Sequence, residues 1–293
     1  MTENTLEKPK KDTSVFATLV NHMLKDRLAM IGLILVVIIT GSAIFAPYIV
    51  PHNPNKLNVR HRLKAPSSEH LLGTDQLGRD VFSRVIIGSR VALQVALVSI
   101  SVAGSIGLVL GMLAGFGTKW LDSFLIILFD SIRSFPTIMF ALAVVTLVGP
   151  SLNTVILVVI VTSIPVYGRI VRTQTQAIIH NDFIMAEKAM GAGKVRIILV
   201  HILPNVIGPL LIIASMDIPV VVTIEAGLSF LGLGVRPPTA SWGTILNDGY
   251  AFIRNTPWLV IAGGAPLILT TLGFTFLGEA LRDVFDPKLR REV

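Results

Sequence analysis

The sequence predicts an all-α integral membrane fold with six transmembrane helices, and three observations carry that prediction. Hydrophobic residues make up 52% of the 293 residues against 15% charged, and the mean hydropathy is +0.73. That is more apolar surface than one water-soluble core of this length hides, so the surplus faces lipid. Six apolar runs, at about 29–50, 91–116, 124–148, 152–167, 203–232 and 257–279, approach the roughly 20 residues a helix needs to cross the hydrocarbon layer. Lysine and arginine are distributed unequally over the two sets of connections between those runs, fifteen against nine.

Taken in order, residues 1–28 form a polar, lysine-dotted tail with no small-residue cleavage site behind a short apolar stretch, and 29–50 is a retained first span. The connection 51–90 carries seven of the nine basic residues on its side, and its end, Arg79 to Arg90, is expected to lie at the interface as an amphipathic helix. Residues 91–279 are the membrane core. Its fourth run is short before Tyr167 and Arg169, and its fifth carries Pro204, Pro209 and Pro219, which are expected to kink it. Residues 280–293 form the second tail. An even number of spans puts both tails, the 117–123 turn and the 169–201 loop on one side, which the positive-inside rule makes cytoplasmic.

Several function classes have nothing to build on. No cysteine is present, which removes disulfide frameworks, thiolate metal sites and cysteine nucleophiles. The net charge of +7 is spread through loops rather than along one aromatic-interleaved face, so nucleic acid is not an expected partner. Gly191-Ala-Gly-Lys194 is followed by Val195 and follows no strand, so it is not a phosphate cradle. Gly232-Leu-Gly234 lacks the third glycine of a dinucleotide site. The six histidines, His22, His52, His61, His70, His180 and His201, never fall three or four apart, so no helix face presents a pair to a metal, and none is expected. No Gly-x-Ser-x-Gly elbow appears.

Charges inside apolar runs are informative because an ionised group at bilayer depth must be paired or wetted. Asp130 and Arg133, three apart, are expected to pair on one helix face as a structural tie, with a pore role as the alternative. Asp217 and Glu225, eight apart in the fifth run, are near enough to two turns to share a stripe facing protein or a water-filled path. Together with Pro219 they are the candidate path residues.

The loop 169–201 has the most structure of any connection. Asn181 is placed to cap a short helix, Phe183, Ala186 and Met190 recur at helical spacing, and Gly191 is placed to stop it in a left-handed cap. A second short helix, Lys194 to Val200, is expected to turn at Pro204 into the fifth span. A narrow stripe with Ala186 and Ala189 on it suits insertion into a partner's groove better than a membrane surface, which favours bulkier residues.

This segment resembles the coupling loop of the inner-membrane permeases of ABC importers, whose pattern is Glu-Ala-Ala, three residues, Gly, nine residues, Ile, one residue, Leu-Pro. Aligned on Gly191, Leu203 and Pro204, the chain has Met185-Ala186-Glu187 at the first three positions and His201 at the isoleucine. His70-Leu-Leu-Gly-Thr-Asp-Gln-Leu-Gly-Arg-Asp-Val-Phe-Ser-Arg84 resembles the segment before span two in the second permease of dipeptide, oligopeptide and nickel importers. Leu228 to Pro238, Ser241-Trp-Gly243 and Gly278 to Pro287 are similar to other parts of the same permease. The resemblance implies the type I importer permease fold and half of a translocation path. It also implies a second dissimilar permease, two ATPase subunits that bind the ATP and Mg, and an extracytoplasmic binding protein, so no cofactor is expected in this chain. Phe183, Met185, Ala186, Glu187, Ala189, Met190, Gly191, Leu203 and Pro204 are then the expected ATPase-coupling residues. Peptides are the expected substrates, with nickel chelates, glutathione or opines as alternatives, and an ion-coupled secondary transporter as the rival class.

Overall fold

The computed structural model describes residues 26–285; the expected first tail up to Lys25 and the end of the second, from Asp286 on, lie outside the described residues. Nine helices organise the described chain: α1 Arg27–Ile44, α2 Val81–Phe116, α3 Lys119–Arg133, α4 Thr137–Val148, α5 Leu152–Ile179, α6 Asp182–Ala189, α7 Leu203–Phe230, α8 Trp242–Ala251 and α9 Pro257–Phe285. Five helical stretches are long and apolar enough to cross a membrane, and α3 with α4 makes a sixth as a bent pair. The expectation of six spans therefore stands in a broken form.

The helices begin where short polar side chains meet orphan backbone donors. Asp26, Asp80, Thr118, Ser151 and Ser241 each accept a hydrogen bond from a backbone N–H in the first turn of α1, α2, α3, α5 and α8. Packing then depends on small residues. Along α2, Gly107, Gly111 and Gly115 face α5 so closely that an added Cβ would lie 2.5 Å from Tyr167 Cβ, 2.5 Å from the Gly168 carbonyl oxygen and 2.7 Å from Thr175 Cβ respectively. Spacing of four keeps them on one face, and the absence of side chains lets the two backbones meet. Where α1 crosses α9, Gly32 and Gly273 do the same: a Cβ on Gly32 would lie 2.8 Å from Phe276 Cβ. The main core fills in around these contacts with Val95, Val155, Val158, Tyr167 and Val222, all fully buried. Ile34, Val37 and Ile38 on α1 and Ile138, Met139 and Leu147 on α4 point outward as the lipid-facing or partner-facing surface.

Four boundaries differ from the sequence expectation. Arg79 to Arg90 is no separate interfacial helix. Val81 onward runs unbroken into the 36-residue α2, about 54 Å long, whose first turns project beyond a hydrocarbon layer of about 30 Å. The fourth span likewise continues past Tyr167 to Ile179, so the loop after it starts at His180. The third run is broken between α3 and α4 by 82°, because Pro136 disfavours helical backbone at Phe135 and supplies no N–H to continue the ladder. At Pro204, conversely, there is no turn. Lys194–Arg196, a π-helical stretch Ile197–Ile202 and α7 form one helical path, and the wider π turn accommodates the ring and missing donor of Pro204. Pro209 and Pro219 sit inside the continuous α7.

The glycine seam yields a paired prediction. Gly111→Val should sharply reduce the yield of monodisperse protein extracted from membranes and lower its melting temperature. Gly104→Ala on the same helix, where nothing lies within 4 Å of an added Cβ, should leave both unchanged; size-exclusion profiles and thermal melts in detergent check this.

Candidate functional site

At one end of the bundle, α6 stands away from the spans. Its single fully buried side chain, Ile184, is pressed into the main core, and this anchors the helix. Its exit is fixed by Gly191 at φ +88°, with the Ala192 N–H donating to the Glu187 carbonyl and the Gly191 N–H to the Lys188 carbonyl, both at 3.0 Å. That pair of bonds is a Schellman stop, which glycine adopts without a Cβ penalty. The expected cap by Asn181 is made by its backbone alone; its side chain makes no capping bond. Ala186 and Ala189 are exposed, and Phe183, Met185 and Met190 are 45%, 55% and 76% exposed. An anchored helix with an apolar outer face is the result.

Glu187 is the exception on α6, since it turns inward. Its carboxylate lies 3.3 Å from His201 Nε2 and 3.8 Å from Arg196 Nε. Two of the three positions that depart from the importer pattern, Glu187 and His201, thus face each other and tie α6 to the π-helical stretch. Leu203 is half-buried behind them and Pro204 is exposed.

Behind the loop that carries α6, α3 is clamped to α5. Arg172 makes a two-pronged pair with Asp122, Nη2 donating to Oδ2 at 2.6 Å, and Arg169 pairs with Asp130. This corrects the expected Asp130–Arg133 tie. Arg133 is exposed in the last turn of α3, and α5 crosses α3 near enough to present Arg169 to Asp130 instead. The Phe129 ring lies against Gly168 between the two ion pairs.

The path residues also separate. Glu225 is fully buried, its Oε1 accepting from Ser229 Oγ at 2.7 Å, so it braces the turn after α7 rather than facing an opening in this chain. Pro219 is buried as well. Asp217 is half-buried beside the Tyr167 side chain. Two turns of helix give only an approximate common face, and packing against α2 and α8 covers the Glu225 end.

The opposite end of the bundle is built on the segment His70 to Arg84. Asp75 accepts from the backbone N–H groups of Leu77 and Arg79, both at 2.9 Å, and from Arg79 Nε at 2.6 Å; Arg84 Nε lies 3.5 Å from the same carboxylate. All three side chains are at least nine-tenths buried. Arg84 also reaches the carbonyls of Pro54 and Pro238, at 3.3 and 3.4 Å, and Arg79 lies 3.6 Å from Asp248 on α8. A cavity of ≈ 270 Å³ opens beside this network, lined in part by Gln76, Arg236, Asn247 and Asp248. Burial pushes the Asp248 carboxyl above the usual range against the opposing effects of Gln76 and Arg79. Trp242 Nε1 donates to the Val85 carbonyl at 2.9 Å and fixes α8 to α2. The Asp75–Arg79 spacing of four was legible in the sequence; Asp248 and Trp242, more than 150 residues away, had no local signal.

Histidines gather here too. His52, His61 and His70, from one loop, lie with ring centroids 4.9 Å (His52–His70) and 5.9 Å (His61–His70) apart. The spacing argument against a shared metal applied to helix faces, and this loop is not a helix.

A multi-span helical bundle with an exposed, rigidly anchored loop helix is the architecture of a transporter's membrane subunit. Residues 107–291 match the family described as binding-protein-dependent transport system inner membrane component, and residues 15–66 match the N-terminal TM domain of oligopeptide transport permease C. The chain belongs to this family of ABC importer permeases, of the oligopeptide and dipeptide permease C type. It is 38% identical to the dipeptide transport system permease protein DppC of Alkalihalophilus pseudofirmus, covering 91% of this chain and 88% of that one. It is 34% identical to a probable D,D-dipeptide transport system permease protein, DdpC, of Escherichia coli K12, covering 98% and 96%. A chain of the inward-facing MetNI methionine ABC transporter shares the fold, with a TM-score of 0.56 at 20% identity over 69% of this chain and 97% of that one.

Two outcomes follow from the buried network. Asp75→Ala leaves two buried guanidinium groups without their main partner, which should cost about 3–5 kcal/mol and lower the melting temperature at neutral pH. Asp248 is different: a carboxyl whose pKa is raised on folding contributes stability at low pH that is lost as pH rises through the raised value. Asp248→Asn should therefore raise the melting temperature at pH 8 and leave it unchanged at pH 4, checked by thermal melts across that range.

Proposed function

We propose that this chain is one of two dissimilar permease subunits of an importer that takes up di- and oligopeptides, with ATPase subunits docking on α6 and an extracytoplasmic binding protein delivering substrate at the opposite end. The observation that carries the docking role is the construction of α6. Ile184 and the Gly191 stop hold the helix rigidly to α5 and to the start of α7, while Phe183, Met185, Ala186, Ala189 and Met190 remain free to enter a partner's groove. A rigid anchor is what a lever needs.

ATP and Mg are bound and turned over by the partner ATPases, and this chain is non-catalytic. ATPase closure displaces α6, and Glu187 with His201 passes that displacement directly to the path through Ile197–Ile202 into α7. Because α3 is clamped to α5 by the Asp122–Arg172 and Asp130–Arg169 pairs, these helices follow as one body, and the permease pair alternates between outward and inward access. Asp217, half-buried on α7, is the residue of this chain placed to line the path. The bias of fifteen basic residues against nine between the two sets of connections supports a cytoplasmic position for the α6 end and both tails, in a bacterial inner membrane. Peptide as the substrate class is supported by the names of the relatives that match over nearly the whole chain.

Ala186→Trp and Gly191→Val should each abolish ATP-dependent uptake of a labelled dipeptide in cells while leaving the amount of inserted chain normal. Uptake that survives both variants overturns the docking role. Uptake that persists when the partner ATPases lose their phosphate-binding lysines supports ion coupling instead.

A further inference from the structure

The histidine cluster beside the start of α2 has a construction that its role in the fold does not explain. Asp80 is the N-cap of α2: its Oδ2 accepts from the Ser83 N–H at 2.8 Å and from Ser83 Oγ at 2.7 Å. Those two bonds orient the carboxylate and leave Oδ1 aimed into the loop. There it meets His70 Nδ1 at 2.9 Å and His52 Nδ1 at 3.8 Å. His52 is held in place by its own backbone N–H, which donates to the same Ser83 Oγ at 3.2 Å, and the His70 backbone is held by Ser67 Oγ at 3.1 Å. His70 and Asp80 are 8% and 3% exposed.

His52 Nδ1 is buried and has no hydrogen-bond partner, and neither has His61 Nδ1 on the other side of His70. A buried, unpaired ring nitrogen is costly, and two around one shared imidazole call for a ligand. The three donor atoms of His52, His70 and Asp80 lie within 4.8 Å of one another. Bonds of about 2.0–2.1 Å to a tetrahedral ion place neighbouring ligand atoms about 3.3 Å apart, which falls between the 2.9 Å and 3.8 Å separations found here. A small closing motion of His52 suffices.

We propose that His52, His70 and Asp80 form a binding site for a divalent transition-metal ion of the zinc class, with a fourth position left to water. Two imidazoles and one carboxylate suit zinc, nickel or copper rather than calcium or magnesium, which prefer all-oxygen ligands. Binding replaces the proton that His70 Nδ1 shares with Asp80, and the ion then bridges the loop at His52, the loop at His70 and the first turn of α2. Ser83 is the outer partner that fixes the carboxylate. His61, Glu69 and His70 form an adjoining triad, but Glu69 is exposed, so the buried set takes the ion.

The test uses the full-length chain, purified in detergent with its co-expressed partner subunits, stripped of metal with a chelator and with any polyhistidine tag removed. Isothermal titration with zinc chloride should show one saturable site per chain with a dissociation constant in the micromolar range or below. Cobalt substituted for zinc should give the visible absorption of a tetrahedral nitrogen–oxygen site, and zinc should raise the melting temperature. His52→Ala should weaken binding by about 10–100-fold and remove the thermal shift. His61→Ala should leave both unchanged. His52→Asn, closer in size, serves if the alanine variant does not fold. No saturable binding to the unaltered protein at 100-fold excess zinc, or binding unchanged by loss of the His52 imidazole, overturns the proposal. Loss of binding in His61→Ala alone also overturns it, in favour of the adjoining triad.

Discussion

The contact on which the rest of the fold depends is the meeting of α2 and α5 backbone to backbone along Gly107, Gly111 and Gly115. Lipid supplies no hydrophobic force to press two apolar helices together, so their association depends on how many atoms reach van der Waals distance. Three glycines on one face bring whole turns of main chain into contact and lock rotation of α5 about its axis. That rotation decides where Arg169 and Arg172 point, and so whether they meet Asp130 and Asp122 on α3. It also decides where α6 emerges. The placement of α6 is set by a seam some turns away from it.

The other end of the bundle obeys a different physics. There a small apolar cluster around Val81, Ile245 and Leu259 packs beside a short loop that organises itself around charge. Asp75 with Arg79 and Arg84 satisfies backbone donors, carbonyls of two distant segments and a neighbouring carboxylate at once. Such a network holds its geometry because any displaced member leaves a buried charge unpaired. Gly78, at φ +71°, allows the tight return of the loop over Asn58, where an added Cβ would collide with the backbone. The α2–α5 seam is thus held by backbone packing, and the opposite end by an ion-pair network beside a small apolar cluster.

Much of this was readable from the residues. The apolar runs, the stop at Gly191 and the exposed stripe of Phe183, Ala186 and Met190 follow from local periodicity and from the conformational freedom of one glycine. Structure and local pattern part mostly where the outcome depends on a neighbour distant in sequence. Asp130 had a cation three residues away, and the fold supplied a better placed one on another helix. Asp217 and Glu225 looked equivalent along the chain, yet one is half-buried and the other wholly enclosed. Pro204 was expected to turn the chain, but the preceding residues adopt a π-helical stretch that accommodates it.

By itself the sequence determined the class of protein, the apolar runs and the extent of the exposed loop helix α6, because hydropathy, helix period and a left-handed stop act over a few residues. Tertiary structure alone decided which charges pair, which acidic residue in α7 is enclosed, and that His52 and His70 meet at the Asp80 carboxylate. Those outcomes depend on side-chain directions from elements tens of residues apart. Only the packed helices and the folded loop fix those directions.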